Sequence, residues 1–171
     1  MNGSDVVDVL DGLRSAGVRF WVDGGWGVDA LLGEQTREHE DLDLVVEREE
    51  CERAAAVLGR SGFAHEPEGR PGLPARFVLS DPRGRRVDLH PVVFGADGNA
   101  WQPLPGEAWG AYPDDGLQGT GEIEGRPVPC ITAELQLRHH LGYAWDENDR
   151  HDMELLAERF ASFAALGLFF K

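Results

Sequence analysis

The stretch Asp41-Leu42-Asp43-Leu44-Val45-Val46 constrains the fold more tightly than any other in the chain. A helix would spread its two carboxylates around a cylinder. A strand instead sets Leu42, Leu44 and Val46 on one face and Asp41 and Asp43 together on the other. The alternation therefore predicts a half-buried strand that displays two acids side by side.

The flanking sequence builds an alternating pattern around that strand. Ser4 or Asp5 can cap a first helix, in which Val6, Leu10 and Leu13 recur at helical spacing before Gly17. Val18 to Val22 is rich in β-branched and aromatic residues and stops at Asp23-Gly24-Gly25, so it reads as a strand and a turn. Trp26 to Leu32 follows as a short helix, and Glu49 to Leu58 as an amphipathic one ending near Gly59. Ala75 to Ser80 and Arg85 to Pro91 flank Asp81-Pro82-Arg83-Gly84, a sequence suited to a hairpin turn. On the second of these strands Arg86, Asp88 and His90 share one face, while Val87 and Leu89 point to the core. Phe94 to Gly125 is rich in Gly, Pro and Trp and predicts loops and short edge strands. Thr132 can cap a helix to about Leu141, and Asn148 or Asp149 can start another carrying Met153, Leu156, Phe160 and Phe163. The expected class is α/β, a small mixed sheet with helices on one side. Residues 1–131 would form the main domain and residues 132–171 a C-terminal helical segment.

Composition narrows the partners. The 16 basic residues against 31 acidic ones give a formal charge of −15, and the sole lysine is Lys171. The scattered arginines offer no stripe to follow a phosphate backbone, which argues against nucleic acid. A cationic small molecule suits the charge, as does plain surface solubility. Cys51 and Cys130 lie far apart without metal-ligand spacing, so neither a zinc module nor a disulfide framework is expected. With no basic start and apolar run at Met1 to Leu10, and no stretch of about 20 apolar residues, the expected setting is the cytoplasm, without a membrane contact.

Three features carry chemistry together. Gly24 and Gly25 stand between a strand and a helix, where backbone N–H groups can approach phosphate oxygens. Asp41 and Asp43 project from one strand face, and Asp88 from another. Acids are depleted in strands, so three of them inside apolar runs point to an oxygen-rich Mg²⁺ site for in-line phosphoryl transfer. His90 shares the face of Asp88 and can meet substrate, while Trp101, Trp109 and Tyr112 can line a pocket or anchor loops. His139 and His140 diverge by about 100° on a helix and do not suit a common ion.

Trp21-Val22-Asp23-Gly24-Gly25-Trp26-Gly27-Val28-Asp29, then Gln35 to Leu44, resembles the opening of the small aminoglycoside and lincosamide nucleotidyltransferases of the polymerase-β-like superfamily. The likeness continues at Val87-Asp88-Leu89-His90-Pro91 and from Asp149 to Leu156. It implies transfer of a nucleoside monophosphate, AMP from ATP, to an antibiotic hydroxyl with release of pyrophosphate. It also implies that Asp41 and Asp43 ligate Mg²⁺, with Asp88 a third ligand or the general base. Gly24, Gly25, Thr36, Arg37 and His39 would surround the triphosphate. Trp145 to Asn148 lacks the basic residue often found there, so either Arg150 or Arg138 substitutes or that contact is absent. The acidic charge favours an aminoglycoside, with Glu107, Asp114, Asp115, Glu122 and Glu124 as candidate partners for its ammonium groups. Alternatives are a lincosamide or other small hydroxylated metabolite, or a non-catalytic, antitoxin-like member binding a protein.

Overall fold

Strand β1 (Phe20–Asp23) runs directly into helix α2 (Gly24–Leu32), and this junction organises the molecule. The computed structural model describes residues 1–66, 77–104, 108–141 and 143–160. Ahead of β1 lies α1 (Gly3–Ser15). After α2 come β2 (Leu42–Glu47), α3 (Cys51–Arg60), the two-residue β3 (Ala64–His65), β4 (Phe77–Ser80) and β5 (Arg86–Phe94). Next are β6 (Ala100–Pro103), β7 (Trp109–Tyr112), β8 (Gly119–Ile123) and β9 (Arg126–Cys130), then α4 (Ala133–His139) and α5 (Glu147–Arg159). The calls on Ala75, Glu107 and Phe163 lie outside the described residues.

The main sheet has the order β3-β4-β5-β2-β1-β9-β8, with β6 branching from β5 and pairing with β7. It is mixed: β1 is antiparallel to β2, while β2 is parallel to β5 and β1 to β9. The expected hairpin joins β4 and β5. Asp81 holds its turn by accepting from the N–H groups of Arg83 and Arg85 and from the Arg85 guanidinium.

One face of β1, β2 and β5 presents Phe20, Val22, Leu42, Leu44, Val46, Val87 and Leu89, all buried with Val6, Leu10 and Leu13 of α1 and Ala54 and Leu58 of α3. Each such Leu or Val stabilises the fold by roughly 1.5–3 kcal/mol on burial. The other face is not bare. Val45 and Val92 pack there with Ala100, Tyr112, Leu117, Ile131 and Leu135 of α4. The helices α1 and α3 lie on one side as expected, and the other is covered by the Phe94 to Gly125 region, which folds back as strands and brings a second core with it, and by α4 of the C-terminal segment. Helices α4 and α5 dock on α2 through Val28, Ala133, Leu137, Met153 and Leu156.

Several boundaries shift for local reasons. Asn2, rather than Ser4 or Asp5, caps α1, because Asn2 and Asp5 form a reciprocal capping box. Asp146 does the same for α5 with Asp149, so that helix starts before Asn148. Gly24 and Gly25 are the first turn of α2 and not a turn before it, since Asp23 is both the last strand residue and the helix cap. Thr132 caps α4 as expected, accepting from the Leu135 N–H.

Candidate active site

Register, and not proximity in sequence, assembles the acidic cluster. Asp23 ends β1 opposite Asp43 of β2, and Asp43 stands beside Asp88 of β5. His90, two residues on from Asp88, projects from the same face and reaches across the row. Its Nε2 lies 3.2 Å from Asp43 and 4.0 Å from Asp88, and its Nδ1 lies 3.6 Å from Asp23. Asp88 is wholly buried and Asp23 nearly so.

Buried charges must be paired, and here one imidazolium serves several carboxylates. Burial alone would lower the His90 pKa, but its hydrogen bonds with Asp23 and Asp43 outweigh it and lift the value to about 10. Burial likewise pushes Asp23 up, yet His90 and the Gly24 N–H bring it down to about 2. Asp23 also accepts from Gly24 N–H at 2.7 Å and from the Tyr112 hydroxyl at 3.1 Å. A carboxylate oxygen of Asp43, one of Asp88 and a ring nitrogen of His90 lie within 4.8 Å of one another, and of these the two carboxylates supply the oxygen ligands while His90 is protonated.

Asp41 stands two residues ahead of Asp43 in the chain, just before the start of β2, because β1 ends at Asp23 and the ladder has no rung beyond Asp43 on that side. Among the described residues it lies outside the Asp43, Asp88 and His90 group.

Above this row sits the start of α2. Gly24 has φ +58°, and a Cβ there would collide with the Asp43 carboxylate, so the backbone and the acid can approach only because Gly occupies the position. A Cβ on Gly25 would strike the His39 ring and, at 2.5 Å, Arg37 Nη2. The loop bearing Thr36, Arg37 and His39 is thus pressed against the first turn of α2. Each side chain has a buried protein partner. Thr36 donates through N–H and hydroxyl (2.7 Å) to Asp29 Oδ1, and His39 Nε2 pairs with Asp29 Oδ2. The His39 ring also lies 4.8 Å from that of Trp26. Arg37 grips Asp152 of α5 side-on, Nε to Oδ1 at 2.8 Å and Nη2 to Oδ2 at 2.6 Å. Those bonds outweigh burial and hold its guanidinium above its already high range. Arg37 thus gives its side-on pair to Asp152 and meets Glu38, its neighbour in sequence, through the backbone carbonyl. Arg138 and Arg150 are exposed.

The other candidates divide. Tyr112 faces the cluster, bonded to Asp23 and to Gln102 Oε1 at 3.3 Å, with His139 edge-on at 4.7 Å. Trp101 lies on the opposite face of the β6–β7 hairpin and is exposed, as is Trp109. Trp101 and Tyr112 therefore do not line one pocket. Glu122 and Glu124 belong to β8 and its turn, separated from β2 by β1 and β9, with Glu124 beside Gly3 of α1. His139 and His140 diverge: one meets Ala111 O, the other Gln136 O.

Asp23 and Asp152 were missed as site residues from the sequence. Asp23 resembled an ordinary turn residue, and its signal was the pairing of β1 with β2 that puts it opposite Asp43. Asp152 has no local signal, being 115 residues from its partner.

A mixed sheet that gathers carboxylates beside a glycine-led helix defines a nucleotidyltransferase-like class. The model of the aminoglycoside-2''-adenylyltransferase family matches residues 5–156, and the chain belongs to that family of antibiotic-modifying nucleotidyltransferases. It is 32% identical over 148 residues to a lincosamide resistance protein of Staphylococcus haemolyticus, covering 86% of this chain and 89% of that protein. It is 28% identical over 125 residues to a 2''-aminoglycoside nucleotidyltransferase of Escherichia coli, covering 73% of this chain and 64% of that one. Among solved structures, a lincomycin-bound lincosamide antibiotic adenylyltransferase superposes with a TM-score of 0.78 at 30% identity, covering 92% of this chain and 97% of the other. No helix among the described residues is long and apolar enough to cross a membrane.

Proposed function

We propose that this chain transfers AMP from ATP to a hydroxyl of an aminoglycoside, releasing pyrophosphate. The observation that carries the reading is the row Asp23, Asp43 and Asp88, set in register beneath the Gly24-Gly25 turn of α2. Hard oxygen donors within a few ångström of one another suit Mg²⁺. Asp41 and Asp43 would hold it, with Asp88 beside Asp43 facing the acceptor. When bound, the ion supplies charge neutralisation to the triphosphate and the departing pyrophosphate.

The protein's own groups do the rest. The acceptor oxygen forms a bond to the α-phosphorus as the bond from that phosphorus to the pyrophosphate oxygen breaks. Asp88 takes the hydroxyl proton as general base. Gly24 and Gly25 let backbone N–H groups approach the phosphates, and Thr36, Arg37 and His39 border that cradle, where Arg37 supplies fixed positive charge. His90 and Tyr112, both tied to Asp23, would border the acceptor. The charge of −15 favours a polycationic acceptor.

A lincosamide acceptor is the second reading, supported by the near full-length likeness to the staphylococcal protein and the lincomycin-bound enzyme. Pyrophosphate release from ATP and Mg²⁺ across a panel of both drug classes tests the proposal. With an aminoglycoside, kcat/KM should fall as salt rises, because exposed charges are screened within about 8 Å at physiological ionic strength. Release with lincosamides alone, indifferent to salt, would replace the first reading with the second.

A further inference from the structure

We infer that Asp152 is a positioning residue for nucleotide binding: it holds the Arg37 guanidinium over Gly25 so that its remaining N–H groups face the phosphate cradle. The inference rests on the proposed nucleotide site.

The argument begins with the donor count. A guanidinium has five N–H groups in a fixed plane. Arg37 spends Nε and one Nη2 hydrogen on Asp152, and one Nη1 hydrogen on Glu38 O at 3.1 Å. One hydrogen on each Nη nitrogen is left. Nη2 is also the atom that a Cβ on Gly25 would meet, so the guanidinium end of Arg37 lies against the first turn of α2. The N–H groups of a helix's first turn lack partners within the helix; Gly24 N–H is taken by the Asp23 carboxylate, and Gly25, whose N–H comes next in the turn, lies beside the guanidinium.

Asp152 is well built for holding this geometry. Its side chain is 4% exposed, against 22% for Arg37, so the acid is fixed and the arginine is the half that reaches solvent. The next residue, Met153, and Leu156 are fully buried against Val28 of α2. The helix that carries Asp152 is thus docked on the helix that carries Gly25. Arg37, Asp152, α5 and α2 form a closed mechanical circuit, in which the guanidinium cannot swing without breaking a bidentate pair. Two parallel bonds fix its plane as well as its place.

The test is calorimetric binding of the Mg²⁺ complex of α,β-methylene-ATP, which needs no turnover. Asp152→Ala and Asp152→Asn should each weaken binding, the former on the order of tenfold, as loss of an orienting partner does elsewhere. Arg37→Ala and the Arg37→Ala/Asp152→Ala double variant should bind equally poorly, because Asp152 acts through Arg37. KM for ATP should rise with little change for the antibiotic. Should Asp152→Ala fail to fold, Arg37→Met/Asp152→Met replaces the pair by apolar groups that fill the same space, and it should fold and still bind weakly. Folded Asp152 variants, or a folded double-Met variant, that bind the analogue like wild type would overturn the inference and leave a purely structural pair. Failure of the wild type itself to bind the analogue would instead overturn the nucleotide site on which the inference stands.

Discussion

The two faces of β1, β2 and β5 are made from the same strands, residue by residue, yet they do opposite work. One face, from Phe20 and Val22 through Leu42 and Leu44 to Val87 and Leu89, contains no polar atom that needs a partner and packs on α1 and α3. The other carries Asp23, Asp43, Asp88 and His90 at one end and a second apolar core at the other. The period of two keeps stability and chemistry one residue apart. Neighbouring substitutions should therefore fail in different ways, which makes the separation testable.

The largest effect is expected on the acidic face. Asp88→Asn should lower kcat by roughly 10² to 10⁴-fold, the range for loss of a general base, with the fold retained. Equal loss of ATP–Mg²⁺ affinity would make Asp88 chiefly a metal ligand. On the opposite face and one residue away in the ladder, Leu44→Ala should destabilise the protein by about 2–5 kcal/mol by leaving a cavity. Denaturant titration would show it, and activity should survive in whatever fraction stays folded. A Leu44→Ala protein of full stability but without turnover would break the division between the faces.

Smaller effects sharpen it. Asp81 holds the β4–β5 turn, and although burial raises its pKa, its bonds with Arg85 lower it overall. Its contribution is then complete above the unfolded value near 4 and is lost as pH falls through the lower folded one. Melting temperature followed from about pH 5 to pH 2 should show Asp81→Asn losing less stability than wild type across that acid window. Identical acid limbs would remove the assignment. Cys51 and Cys130, both in the apolar core, have thiols pushed up to about 12, chiefly by burial. Alkylation at pH 8 should leave both untouched in native protein and label both after unfolding.

The residues themselves explain why some of this was legible in sequence. Alternation announced the Asp43 face and the Asp88 face, because acids are depleted inside apolar strands and three of them together stand out. The mixed sheet followed from the order of elements. Asp23 was hidden because a strand-to-helix junction also favours Asp as a cap, and pattern alone could not say that the β1–β2 ladder ends at Asp43, leaving Asp41 just ahead of β2. The pairs Arg37 with Asp152 and His39 with Asp29 depend on α5 and α2 meeting the loop in space. Periodicity carries no trace of such contacts. The second core behind Tyr112 was missed since its strands are short and interrupted by Gly and Pro.

The central claim is that the acidic row drives nucleotidyl transfer to an antibiotic, and one measurement tests it most directly. Tobramycin and lincomycin are incubated with ATP, Mg²⁺ and either wild-type protein or Asp43→Asn, and their masses are read. The account predicts that the wild type adds the mass of one adenylyl group to the aminoglycoside, while the folded Asp43→Asn protein is slower on the order of 10²-fold or more. Unmodified drugs with wild type, or equal modification by Asp43→Asn, would contradict it.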